Sequence, residues 1–137
     1  FQQFVLDSAS PLEFMIMKFS PSGKLMSVMT GDSLLLIDAF QYNQVAEFTE
    51  FENGSSMNLE ASFTPDEQYI MSGSDNGLIH VWRAQSDYGK VTELSGHASA
   101  VRCVKFNPYY GMMASACTNV AFWIPVSSTS NREPLNQ

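Results

Sequence analysis

The sequence has two histidines and two cysteines, His80, His97, Cys103 and Cys117. Nucleophilic catalysis needs a nucleophile beside a base, and metal chemistry needs several ligands converging on one point. The four residues have the spacing of neither a disulfide framework nor a zinc site. His80 stands between Ile79 and Val81 in an apolar run and His97 follows Gly96, so neither reads as a general base. Cys103 and Cys117 fall on neighbouring predicted strands and read as small buried hydrophobes of a reduced, intracellular protein. No catalytic residue, metal or cofactor is therefore expected. Recognition chemistry is better supplied. Arg83 and Arg102 could each hold a carboxylate or a phosphorylated peptide by bidentate hydrogen bonds, and Tyr109 and Tyr110 sit where a turn would expose them as partner anchors. The alternative for the two tyrosines is a stacked pair covering a sheet edge.

Charge narrows the partners. The 137 residues carry 14 acidic and 7 basic side chains, a net charge of -7, whereas binding to a phosphate backbone requires clustered Lys and Arg. A direct nucleic-acid partner is not expected. Seven of the acids (Glu47, Glu50, Glu52, Glu60, Asp66, Glu67, Asp75) lie between residues 41 and 82, where no Lys or Arg occurs. Such a block reads first as a solvated face and second as an attractor for a basic partner. No apolar run reaches 18 residues, so no membrane helix is expected, and the opening FQQFVLDSAS lacks the basic and apolar regions of a signal peptide.

The elements that must position these residues repeat. An aromatic, a small polar residue and a proline recur as Phe19-Ser20-Pro21, Phe63-Thr64-Pro65 and Phe106-Asn107-Pro108, at intervals of 44 and 43 residues. That period is the length of a four-stranded propeller blade. Each phrase closes a strand-like run (FMIMKF, LEASF, VRCVKF), and a turn leads into a second run (LMSVMT, YIMSG, MMASAC) and then a third (LLLID, LIHVW, VAFWI). Further hairpins fall at Gly31-Asp32 and Asp75-Asn76-Gly77, where Asn76 and Gly77 both accept positive φ. The fourth runs, QVAEFTEF and KVTEL, alternate apolar and polar residues as half-exposed outer strands do.

No 3.6-residue period is sustained, so the fold class is all-β: a partial propeller of about three blades and twelve strands. Residues 1–6 would be the outer strand of a preceding blade. Blades would span 14–51 and 58–94, with an incomplete one at 101–125 and a disordered tail over 126–137. Three blades do not close a ring. The chain is therefore expected to be the carboxyl-terminal part of a longer propeller or to self-associate, and the open edge at VAFWI is expected to accept an added strand.

Gly96-His97 before the last repeat, with Trp82 and Trp123 ending two of the third runs, resembles the WD-repeat β-propeller family over about residues 1–125. In that family a His ahead of the first strand, a Ser or Thr on the second, an Asp in the next hairpin and a Trp on the third form a buried hydrogen-bonded set. The resemblance assigns His97, Ser115 and Trp123 to that set, and it puts Trp82, Asn76 and Asp38 at motif positions of earlier repeats, Asp38 capping a turn. The departures are plain: the last hairpin offers only Thr118-Asn119, Asn76 stands where Asp is usual, and the dipeptide Trp-Asp never occurs. Weaker polar locks and more apolar packing are expected.

Longer phrases narrow the resemblance: LIDAF (36–40), LEASFTPD (59–66), the run from Tyr69 through IHVW, and ASACTNVAFWIP (114–125). These are similar to the carboxyl-terminal half of the WD-repeat subunit shared by COMPASS-type histone methyltransferases and transcription-termination complexes. The resemblance implies a nuclear, non-catalytic scaffold joining the methyltransferase to transcribing RNA polymerase II. It also implies contacts with a phosphatase-targeting or polyadenylation factor and with the phosphorylated polymerase tail. An adaptor of another assembly, such as a ubiquitin ligase, would use the same fold and is the alternative, as is a truncated propeller without function.

Overall fold

The computed structural model describes residue 3 and residues 16–55 and 57–126. Eleven strands form among them: β1 (Ile16–Phe19), β2 (Leu25–Met29), β3 (Leu34–Asp38), β4 (Asn43–Phe48), β5 (Ala61–Phe63), β6 (Tyr69–Gly73), β7 (Leu78–Arg83), β8 (Lys90–Ser95), β9 (Cys103–Phe106), β10 (Met113–Ala116) and β11 (Val120–Trp123). They pair as three antiparallel meanders, β1-β2-β3-β4, β5-β6-β7-β8 and β9-β10-β11. No helix occurs among the described residues. The expected strand over residues 1–6, apart from residue 3, and nearly all of the expected tail, from residue 127 on, lie outside the described residues.

Strand composition follows position in the meander. The third strands β3 and β7 are covered on both faces, which is why LLLI and LIHVW are nearly continuous apolar runs. On β7, Trp82 packs with Phe48 of the first sheet and Phe51 just after it, while Ile79 and Val81 pack with Val104 and Met113 of the third sheet and Val101 just before it. The alternation of a single strand thus glues three sheets together. The outer strand β8 is mostly exposed and carries most of the polar residues of KVTELS. The pairing register shifts between Leu36 and Ile37 and again between Val81 and Trp82. These are equivalent positions in successive repeats, so the bulge is part of the unit rather than an accident of one blade.

The turns place left-handed backbone elsewhere than the sequence suggests. Of Asn76 and Gly77, only Gly77 takes positive φ, at 83°. Asn76 instead accepts the Leu78 N–H on its Oδ1, at 3.1 Å, and so shapes the turn through its side chain. The β5–β6 turn carries Glu67 at φ 58° where the β1–β2 turn carries Gly23 at 75°. The strain at Glu67 is offset by a tether between sheets, because its carboxylate receives both the backbone N–H and the hydroxyl of Ser22. Gly73 marks the closest approach of two sheets: a Cβ there would lie 2.0 Å from the carbonyl oxygen of Val101.

Candidate functional site

The last sheet builds a hydrogen-bonded chain across three segments. β10 and β11 pair with Met113 opposite Trp123, which places Ser115 beneath the indole. Trp123 Nε1 donates to Ser115 Oγ at 2.7 Å, and the same hydroxyl lies 2.6 Å from His97 Nε2. Among the described residues the hydroxyl proton has no other acceptor, so it goes to His97 Nε2, and the neutral ring keeps its own proton on Nδ1. Nδ1 then donates to Cys117 Sγ at 3.0 Å. Gly96 precedes His97 because the indole lies over it, and a Cβ there would come within 2.8 Å of the Trp123 ring.

The middle sheet solves the same problem differently. Ser72 and Trp82 occupy the places of Ser115 and Trp123, as the register of Ile70 opposite Trp82 shows. Yet Trp82 Nε1 donates to Glu50 Oε2 at 2.8 Å, and the Ser72 hydroxyl donates to the carbonyl of Gly73 at 3.1 Å. The indole is fully buried and stacks on Phe48 with centroids 5.0 Å apart. In the first sheet the two places hold Val28 and Ile37, both buried. Asp38 closes that sheet's last turn by accepting the N–H groups of Phe40 and Gln41, each at 2.8 Å.

The acidic block is not a uniform solvated face. Glu67 is buried against Ser22, Glu50 holds Trp82, and Asp75 accepts the Ser55 N–H. Glu60, ahead of β5, gathers Lys18 of β1, Lys105 of β9 and the Cys103 thiol, so one carboxylate ties the innermost strands of all three sheets. Burial, and then the neighbouring Lys105 cation, push the Lys18 ammonium down to about 8. The pattern of the sequence did not single out Glu60, because its partners lie more than 40 residues away on either side.

Partner-contact candidates separate by end. Tyr69, at the start of β6, pairs with Arg83, whereas Gly73, at its other end, packs against Val101. Arg83 and Arg102 therefore stand at opposite ends of the strands, roughly 13 Å apart along β6 alone. The structure does not bring them to one phosphopeptide. Arg83 is also engaged, with Nη1 2.9 Å from Asp87 Oδ2. Tyr109 and Tyr110 share the Arg83 end. Asn107 Oδ1 holds both of their backbone N–H groups, at 2.9 and 3.0 Å, while the side chains stay 88% and 71% exposed. No stacking between the two rings occurs among the described residues. With Pro65, Asp66, Tyr69 and Phe106 they line a cleft of about 500 Å³ between the β5–β6 and β9–β10 turns. Tyr69 also borders the neighbouring hollow at Arg83 and Gln85, so the surface is continuous.

For catalysis the described residues offer little: no group of three or more His, Cys, Asp or Glu among them could hold a metal ion. His80, buried at 2% exposure, makes no hydrogen bond from either ring nitrogen, has Nδ1 3.4 Å from Glu93 Oε1, and stacks on Trp82 at 5.6 Å. Burial, then the Lys90 cation, lower its pKa, against a smaller opposing pull from Glu93, Glu50 and Glu52.

Comparison with known proteins agrees with this architecture. The model of the WD domain, G-beta repeat (WD40), matches residues 55–83 and 89–120. The chain is 43% identical over 129 residues to WD repeat-containing protein 82 of Drosophila melanogaster, covering 93% of this chain and 40% of that protein. It is 30% identical over 126 residues to the COMPASS component SWD2 of Saccharomyces cerevisiae, covering 79% of this chain and 36% of that protein. The chain thus spans two fifths or less of these relatives' length. Among solved structures, that of U3-55K superimposes with a TM-score of 0.72 at 20% identity, over 85% of this chain and 37% of the other.

Proposed function

The chain is a WD-repeat protein with the fold of a partial β-propeller, and from that premise we propose that it is a non-catalytic scaffold subunit of a nuclear histone-methyltransferase complex of the COMPASS type. The observation that carries this reading is the similarity to a named COMPASS component over 79% of the chain. The contact surface we assign is the rigid aromatic face at Tyr69, Tyr109 and Tyr110. Exposed aromatics on a fixed backbone anchor protein partners at low entropic cost. In this reading the methyltransferase subunits bind there, and RNA polymerase II and termination factors are reached through the same assembly.

Affinity purification of the chain from nuclear extract, with mass spectrometry of what accompanies it, tests the proposal. Methyltransferase subunits should be recovered with the native chain and lost with the Tyr109→Ala/Tyr110→Ala double variant. Recovery of ubiquitin-ligase subunits in their place would overturn it. Recovery unchanged by the double variant would move the contact to another face.

A further inference from the structure

The hairpin between β7 and β8 carries a hydroxyl in left-handed backbone. Ser86 stands there at φ 63°, exposed, three residues after Arg83 at the end of β7. The two residues line one hollow of about 300 Å³, which Gln68, Tyr69 and Gln85 complete. Each of these side chains carries a hydrogen-bond donor. The charges around the hollow are Arg83, Asp87 in the same hairpin and Glu67 in the β5–β6 turn, whose carboxylate is taken by Ser22. Lys90, at the start of β8, is paired with Glu93.

We propose that Ser86 is a phosphorylation site for an arginine-directed serine kinase, and that Arg83 leaves Asp87 to hold the phosphate. Two independent features meet at this serine. Kinases with an acidic peptide groove select a serine by an arginine three residues before it, and of the three arginines in the sequence only Arg83 has a Ser or Thr at that spacing. The fold then places the same arginine and serine on one hollow, outside the packed core. Ser86 Oγ attacks the γ-phosphorus of ATP and a P–O bond forms. The bond to the departing ADP oxygen breaks, and the hydroxyl proton passes to the base of the kinase.

The product suits the hollow. A phosphoserine carries about −1.5 to −2 charges on strongly accepting oxygens, and the Arg83 guanidinium offers a planar fork of N–H donors, of which Asp87 engages Nη1 at 2.9 Å. That pair lies at the surface, with the side chains 48% and 62% exposed, so it is of small worth. A dianion gripped by two parallel hydrogen bonds outcompetes it. The freed carboxylate returns to water.

The test incubates the full chain with a calmodulin-dependent serine kinase and Mg-ATP and maps the phosphate by mass spectrometry. Phosphate should enter at Ser86, and at least about tenfold more slowly in Arg83→Ala, the worth of one charge-assisted contact with the kinase. Absence of phosphate at Ser86, or an unchanged rate in Arg83→Ala, overturns the proposal. Capture is read separately, by phosphorus NMR of the phosphorylated native chain. The second ionisation of phosphoserine, at about 6 when free, should fall by about half a unit or more in the folded chain and return in urea, because Arg83 favours the dianion. Released Asp87 opposes that shift, so Asp87→Asn should enlarge it. An ionisation unmoved by unfolding would show that the phosphate stands clear of Arg83 and overturn its capture.

Discussion

Replacing Ser115 and, separately, Ser72 by alanine removes the same hydroxyl from the same repeat position, yet the two should differ in cost. Ser115 Oγ serves Trp123 Nε1 and His97 Nε2, so its loss strands two nitrogens. An orphaned polar group costs about 1–3 kcal/mol when buried, and both rings are half-exposed, which puts each near the lower end and the sum at about 2 kcal/mol. Ser72 Oγ serves only the carbonyl of the next residue, and Trp82 takes its acceptor from Glu50. Its removal should cost about 0.5–1 kcal/mol.

At this chain length a kilocalorie corresponds to roughly 3–4 °C in thermal midpoint, so Ser115→Ala should lower the midpoint by about 6–8 °C and Ser72→Ala by about 1.5–4 °C. Differential scanning calorimetry reads both on the full chain. A double variant with Trp123→Phe should lose less than the sum of its parts, because the two changes remove one shared bond. Equal losses at Ser72 and Ser115, or full additivity with Trp123→Phe, would refute the reasoning that the last blade depends on a connected chain.

The remaining predictions are narrower. His80→Leu, which copies Leu35 of the first blade, should stabilise by about 1 kcal/mol, because it removes a buried imidazole that makes no hydrogen bond and has only a 3.4 Å contact from Nδ1 to Glu93 Oε1; denaturant midpoints at pH 7.5 check this. The native protein should lose stability as pH falls below about 6.5, since the unfolded chain protonates His80 more readily than the folded one, and His80→Leu should remove that part of the slope. Gly73→Ala should cost about 3–5 kcal/mol, because its Cβ would collide with the Val101 carbonyl and push the last sheet off the middle one; expression yield and calorimetry read the loss. The Tyr109→Ala/Tyr110→Ala variant should leave the thermal midpoint within about 1–2 °C of native, since exposed side chains contribute little to folding, so loss of partners in it would report binding alone.

The strands were legible because each obeys a local rule. LLLID and LIHVW read as third strands, KVTEL as an outer strand, and the Pro-containing turns as reversals, with no contact between distant residues required. What escaped depends on register and on partners far along the chain. That Arg83 and Arg102 stand apart follows from the meander itself: its first and third strands run parallel, so a residue before the first and one after the third lie at opposite ends. The strand order carried that signal and the motif comparison did not use it. Glu67 in left-handed backbone could not be read, because the reason for it is Ser22, 45 residues earlier. Cys117 was taken for a small buried hydrophobe on a strand, whereas it lies half-buried in the hairpin just past β10, with His97 Nδ1 3.0 Å from its sulfur.

The three blades hold one structural place by three chemistries, and the differences lie in the segment leading into each blade. Ahead of β5, Glu50 holds the Trp82 indole and the backbone of Glu52 exchanges hydrogen bonds with Ser74, so carboxylate and amide anchor the middle blade. Ahead of β9, a single imidazole spans from Ser115 to Cys117. The first blade buries Val28 and Ile37 at its motif places, and Thr30, in the phase of Ser74 and Cys117, turns its hydroxyl to Ser33 within the hairpin. A carboxylate and a backbone amide keep their hydrogen-bonding roles across the physiological range, and apolar packing is indifferent to pH and oxidant. The imidazole of the last blade is a third solution, because one ring faces a hydroxyl on Nε2 and a sulfur on Nδ1 and so joins the segment ahead of β9 to β10 and its hairpin through one side chain. Among the described residues the last blade is thus the one whose motif indole is held by a relay of side chains, from Trp123 through Ser115 and His97 to Cys117.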